Sequence, residues 1–389
     1  MRRHPLLQLM LILPPLLLLS ACGMRSVEQV IYPNAIGIDY VKGQYKVYVQ
    51  VIDFTNIAKV ESGGRRANPS NFIGEGTAST FDEAIFQVYR TSHQSISWSH
   101  ISSIVFSKAL LEHGITDVMD LWGRFNEFRQ TPWVFGTDRP MREILSANPI
   151  LNISMLYSQL SSPTDIYRQS SFIQPLRLYH FMSTLYEPGM TSLLPSITIN
   201  EKAWTKNTAP HKNLMMDGVY GMKKDKLVAA MPSKDLLGFR WMNRSTSRGV
   251  LALGDPKQPT AVVVMQKPKA VISPVVQQNR VSFNIEVSTS GGVFQYNRPM
   301  DEKEIQRQAE QKIKEEIEHT YRKGLERKMD VLQLSDALYR KDPKKWRKLA
   351  QKDEFFLNKD SLQSVKVKVR MDNSQKLKLK RPSMLKEKS

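Results

Sequence analysis

Two periodicities run through this chain. Residues 35–39 and 45–51 are rich in β-branched and aromatic side chains, and the second run alternates apolar with polar positions, so the pair predicts a β-hairpin across residues 41–44. Residues 55–76 break the pattern with Gly63, Gly64, Arg65, Arg66, Pro69, Gly74 and Gly76, the composition of a long mobile loop. Thr80, with Glu83 three residues later, forms a capping box for a helix over 81–92 that would bury Phe81, Ile85, Val88 and Tyr89. A strand over 101–106, a short helix over 108–113 stopped by Gly114, a helical period over 116–128 and a strand over 132–136 follow in mixed order.

Residues 150–200 read as helix and loop, closing with a strand over 192–199. The chain turns polar around 203–212, with Asn207, Thr208 and Pro210, which marks a boundary. A second hairpin is expected from residues 218–222 and 226–231 around Lys223, Lys224 and Asp225. Strands over 261–264, 269–272 and 281–287 are spaced as in an antiparallel sheet. The longest predicted helix starts at Asp301, with Glu302 and Glu304 in its first turn, where the helix dipole favours them. Its apolar stripe is Ile305, Ala309, Ile313, Ile317, Tyr321 and Leu325, with Glu310–Lys314 and Glu318–Arg322 as pairs on the solvent side. The stripe covers too few heptads for a coiled coil, so the helix should lie on a sheet that includes Val365, Val367 and Val369. The expected fold class is α+β (mixed α/β): three domains with mixed or antiparallel sheets flanked by helices, and a long C-terminal helix packed on a sheet. An N-terminal α/β domain would span residues 22–205, a small β-rich domain 206–268, and a C-terminal α/β domain with a basic tail 269–389.

The start of the chain carries a different signal. Arg2, Arg3 and His4 precede an apolar run of 14 residues from Leu6 to Leu19, too short to span a bilayer, which needs roughly 20. The small residues Ser20 and Ala21 then precede Cys22, the only cysteine among 389 residues. That setting makes residues 1–21 a lipoprotein signal peptide and the Cys22 thiol the acceptor of a diacylglyceryl group. Two or three acyl chains give stable rather than marginal anchoring. The full chain is 41% hydrophobic and 24% charged, with no later apolar run of 18 residues, so a folded body on a lipid tether is expected. With Cys22 acylated no thiol remains for a disulfide.

Charge changes the picture at the other end. The net charge of +19 becomes +17 once Arg2 and Arg3 leave with the leader. From Val365 onward nine basic residues face only Asp372 and Glu387. Lys376, Lys378, Lys380 and Arg381 are the candidate contacts to a membrane surface or an acidic partner, each basic residue near an anionic surface contributing about 1 kcal/mol. An exported lipoprotein meets little nucleic acid, so no nucleic-acid partner is expected.

Catalytic signatures are missing. The sequence has no phosphate-binding Gly-rich loop ending in Lys-Ser or Lys-Thr, no dinucleotide fingerprint, no His-Glu-x-x-His and no Gly-x-Ser-x-Gly. His93, His100, His113, His180, His211 and His319 are not paired at metal-ligand spacing and read as surface or capping residues. Asp82–Glu83 and Glu315–Glu316 read as solvated or capping carboxylates, since adjacent residues on a helix do not face each other. Gly63 and Arg66 mark the one loop whose composition would suit an anion. No enzyme, metal or cofactor is expected.

The order of these features resembles a known family. The lipobox at Cys22, the hairpin opening at residues 35–39, the run His100 to Phe106 leading to Glu112, His113 and Gly114, the hairpin through Asp217–Tyr220 and Lys226–Val228, and the later Met329-Asp330-Val331 and Asp342-Pro343-Lys344-Lys345-Trp346 are similar to the Ger(x)C family of spore germination lipoproteins. Members usually carry a Trp-Asp-Arg-Arg-Glu-like run after the lipidated cysteine, whereas this chain has Gly23-Met24-Arg25-Ser26-Val27-Glu28. The resemblance implies a C subunit of a nutrient germinant receptor on the outer surface of the inner spore membrane. Its partners would be an integral-membrane A subunit and a transporter-like B subunit. It also implies three mixed α/β domains, lipid attachment at Cys22 and no catalytic residues. The alternative reading is an extracytoplasmic substrate-binding lipoprotein of a transporter, a class that shows two similar lobes, whereas the two halves of this sequence differ.

Overall fold

The computed structural model describes residues 30–52, 71–255, 257–277, 280–298 and 300–372. Two sheets, each with its own core, organise them. In the first, β1 (Pro33–Val41) and β2 (Gln44–Ile52) form the expected hairpin around Lys42 and Gly43. Both turn residues have positive φ, 51° and 80°, the twist that suits a two-residue hairpin. β3 (Asn71–Ala78) adds to β2, and α1 (Phe81–Thr91) folds back over the pair. The Thr80 hydroxyl accepts from the Glu83 N–H, as the capping pattern predicts, while the Glu83 carboxylate accepts from the Ser79 hydroxyl at 3.0 Å.

β4 (Ser103–Ser107), α2 (Lys108–His113), α3 (Thr116–Arg124), β5 (Trp133–Thr137), α4 (Met141–Ser146), α5 (Pro163–Gln169), α6 (Leu178–Leu185), β6 (Ser192–Asn200), β7 (Asn213–Lys223) and β8 (Lys226–Pro232) complete this unit. The strand order is β8-β7-β6-β5-β4-β1-β2-β3, and the short strand Leu176–Arg177 pairs beside β5. The four central strands β1, β4, β5 and β6 run parallel, with antiparallel strands at both ends. Helices cover both faces, so β4 and β5 are buried at every position, as interior parallel strands must be. The period of two then divides the core. Ile104, Phe106 and Val134 face α1, α2, α3 and α6, whereas Val105 and Phe135 face α4.

The second sheet holds β9 (Gly249–Asp255), β10 (Gln258–Val276), β11 (Val281–Tyr296) and β12 (Leu362–Met371) in that order, antiparallel except for the parallel pair β11–β12. α7 (Glu302–Glu326) lies across it, burying Ile305, Ala309, Ile313, Ile317 and Tyr321 against Leu251, Val263, Phe283, Ile285, Val365 and Val369. Val367 is half-buried on the same face. α8 (Leu334–Lys341) and α9 (Pro343–Lys352) precede β12. The mixed α+β class and the long C-terminal helix on a sheet are therefore as expected.

Four local expectations change. Residues 71–76 are strand, not loop: Gly74 and Gly76 sit where the backbone of β3 passes under α1, and a Cβ on Gly76 would lie 2.0 Å from the Ala84 carbonyl oxygen. The polar stretch 203–212 is the exposed tip between β6 and β7, which pair antiparallel in one sheet, so it is polar because it meets water and not because it links domains. In consequence residues 206–268 contribute β7 and β8 to the first sheet and β9 with half of β10 to the second, and the boundary expected at 268–269 falls inside β10. Residues 261–264 and 269–272 are one strand interrupted by a bulge between Gln266 and Lys269, where Lys267 has φ 47°. Two carboxylates also move inward. Glu310 faces β12 and accepts from the Val369 N–H at 2.9 Å, and Glu316 is buried against Arg240.

Candidate functional site

The two units meet through side chains that belong to neither of the two main cores. Ile173, Val219, Met231, Leu236, Met329 and Val331 form a small apolar cluster at the junction. Polar side chains then tie backbone to backbone. The Gln333 amide donates to the Thr191 carbonyl at 2.7 Å and accepts from the Thr191 N–H at 3.1 Å, pairing as a strand residue would. Gln333 holds this position with φ 60°, a left-handed conformation uncommon for a residue other than Gly, Asn or Asp. On the opposite side the buried Ser171 hydroxyl accepts from the N–H groups of Ser247 and Arg248 at 3.0 and 3.1 Å and donates to the Tyr167 carbonyl.

Asp330 anchors the same junction. Its two carboxylate oxygens accept from the N–H groups of Leu334 and Ser335 at 3.0 and 2.7 Å, satisfying orphan donors at the start of α8. Complete burial pushes its carboxyl up to about 6, with Asp336 adding to the rise against the backbone hydrogen bonds that favour the charged form. A raised folded-state pKa means that this group's contribution to stability is fully present below about 3.8, the unfolded value, and is lost as pH rises through about 6. Relative to an Asp330→Asn variant, the wild-type chain should therefore lose on the order of 2–3 kcal/mol between pH 4 and pH 7. Parallel stability curves for the two proteins across that range would contradict this assignment.

Between the two ties lies a cleft of about 870 Å³, walled by the 173–180 segment, the end of α5 and residues 190–193 on one side and by residues 239–247, Ala270, Ile272 and residues 331–333 on the other. Arg168, Arg177 and Arg244 line it, without an aspartate or glutamate. The Arg177 guanidinium stacks on Trp133 at 3.4 Å and donates to the Thr131 carbonyl. Burial holds its pKa below the usual arginine value. At the rim the Asn243 amide donates to Gln174, and Tyr167 and Ser245 share a hydroxyl hydrogen bond at 3.0 Å. This arrangement can hold a charged, partly apolar molecule, but it presents no nucleophile with an adjacent base.

Of the residues singled out from sequence, His180 lines this cleft and the others lie elsewhere. Cys22, Gly63, Arg66, Lys376, Lys378, Lys380 and Arg381 are outside the described residues. The histidines are scattered: His113 stacks on Tyr40 at 3.6 Å, and His319 lies 3.6 Å from Asp235. Among the described residues no three metal-ligating side chains converge, and no helix is long and apolar enough to cross a membrane. Sequence reasoning missed the cleft arginines, Ser171, Gln333 and the role of Asp330. Only Asp330 carried a signal, an aspartate placed a few residues ahead of the helical period that begins at Leu334.

Comparison with known proteins places these features. Residues 23–199 match the spore germination protein N-terminal domain, and residues 217–375 match the spore germination B3/GerAC-like C-terminal domain. Spore germination protein KC of Bacillus subtilis (strain 168) is 21% identical over 377 residues, covering 90% of each chain. Spore germination protein B3 of the same organism is 21% identical over 377 residues, covering 91% of this chain and 95% of the relative. The crystal structure of the GerBC protein shares the fold, with a TM-score of 0.51 at 16% identity over 87% of this chain and 97% of that one.

Proposed function

The chain belongs to the GerAC-type family of spore germination proteins, and from that premise we propose that it is a membrane-anchored lipoprotein subunit of a nutrient germinant receptor. The observation that carries the reading is the presence of both family domains, in order, on one fold shared with GerBC. In this reading Cys22 bears the lipid, and the body sits on the outer surface of the inner spore membrane. Lys376, Lys378, Lys380 and Arg381 face an anionic surface or acidic partner, and the integral-membrane A and B subunits are the partners. The subunit acts by protein contacts rather than turnover. The unlike topologies of the two sheets, nine strands against four among the described residues, support this over a two-lobed transporter binding protein.

Cys22→Ala should leave a folded protein that no longer partitions with membranes at high salt, because the tail charges alone give only a screened attraction. Membrane fractions washed in high salt and probed for the variant test this. Full retention there would defeat the anchoring argument.

A further inference from the structure

We propose that the cleft between the two units binds a small organic anion with an apolar body, a carboxylate or a phosphate monoester, held between Arg177 of the first unit and Arg244 of the second. Charge is the first argument. The wall carries three arginines and no carboxylate in a chain that has 37 Asp and Glu. Arg168 is partly engaged, with Asp165 at 3.5 Å on the exposed side. Arg244 makes no ion pair or hydrogen bond among the described residues, and Arg177 has only a carbonyl and an aromatic ring as partners there. Arg177 thus carries its charge into a partly desolvated site with no counter-ion, an arrangement that an incoming anion would relieve.

Lining chemistry is the second argument. Ile173, Leu193, Val219, Met242, Ile272 and Leu332 give an apolar floor beneath the arginines. About 870 Å³ lies within the range of ligand pockets, roughly 300–1,000 Å³, so a body of several carbons can be covered while its anionic end meets a guanidinium. A guanidinium presents paired N–H donors that match both carboxylate and phosphate oxygens. Because Arg177 lies beside β5 and Arg244 follows the short helix Phe239–Met242 of the other unit, one bound anion would tie the two units together.

The test uses the full chain with phenyl phosphate and benzoate as anionic probes and benzylamine as the cation of similar shape. Calorimetric titration should show binding of at least one anion, a rise in melting temperature with it, and neither effect with benzylamine. Arg244→Gln should weaken the anion roughly tenfold or more while leaving the melting temperature of the unliganded protein unchanged, because that side chain is exposed and holds nothing else. Arg177→Lys keeps the charge but loses the paired donors, so binding should fall while the fold is retained. Equal binding of benzylamine, unchanged affinity in Arg244→Gln, or no binding of either anion would overturn the proposal. So would an acidic peptide that binds where both small anions fail, since the cleft would then be a seat for a partner's segment.

Discussion

Glu316→Ala should destabilise the C-terminal unit by about 3–5 kcal/mol, because it leaves a buried arginine without its counter-ion. Arg240 and Glu316 are each about nine-tenths shielded, and the Arg240 guanidinium donates to both carboxylate oxygens at 3.1 and 2.9 Å. Trp241 donates its indole N–H to the same carboxylate at 2.7 Å. One side chain of α7 therefore satisfies two residues of the short helix Phe239–Met242, and Thr320, one turn further on, accepts from the Gly238 N–H and donates to the Asp235 carbonyl. Removing Glu316 strands the arginine charge and the indole donor together. Replacing the pair with apolar residues, Glu316→Leu with Arg240→Met, should recover much of the loss, since the cost lies in the unpaired charge and not in the absence of the pair. Chemical denaturation of the three proteins tests this. A single-variant loss below about 1 kcal/mol would show that water reaches the site and solvates the arginine.

Gly76→Val should cost about 4 kcal/mol or more in the first unit. The obstruction is backbone: a Cβ at Gly76 would sit 2.0 Å from the Ala84 oxygen and 3.0 Å from its carbonyl carbon, so α1 as a whole would have to lift from β3. Lifting it uncovers Phe81, Ala84, Ile85 and Val88, the buried stripe of that helix. Gly43→Ala is the matched control, a turn position with open space around it whose positive φ alone is strained by a side chain, and should cost about 1–2 kcal/mol. A Gly76 variant as stable as the Gly43 control would mean that α1 is not held against β3 as described.

What the sequence shows reliably is what neighbours along the chain decide. The two hairpins, the Thr80 cap and the α7 stripe all rest on contacts within a few residues or on a period, and each stands where the pattern puts it. Glycine carries no such information, since it is common both where a chain turns and where two backbones touch. Gly76 belongs to the second case, Gly74 lies under the Val88 side chain, and only the helix above them distinguishes these positions from a turn. Polarity is ambiguous in the same way: Asn207 and Thr208 would look alike in a linker or at a hairpin tip. Glu316 sits beside Glu315 in a charged helix, and its burial depends on an arginine 76 residues away. The cleft is less legible still, because its arginines come from segments that periodicity does not relate.

The pairing of β7 and β8 with β6 also constrains how the molecule assembles in time. A chain made from its N-terminus would complete a bead-like first domain before the second began, yet here the first sheet waits for residues 213–232. The second sheet waits longer, since β11 accepts β12 only after some 80 intervening residues, Ile285 standing opposite Val365. Until β12 pairs, β11 offers an open edge beside α7, and a contact between residues so far apart in sequence raises the contact order of this unit, which slows folding in general. The strand that closes this edge is also the one that Glu310 and the apolar face of α7 are positioned to receive, so one pairing joins sheet and helix.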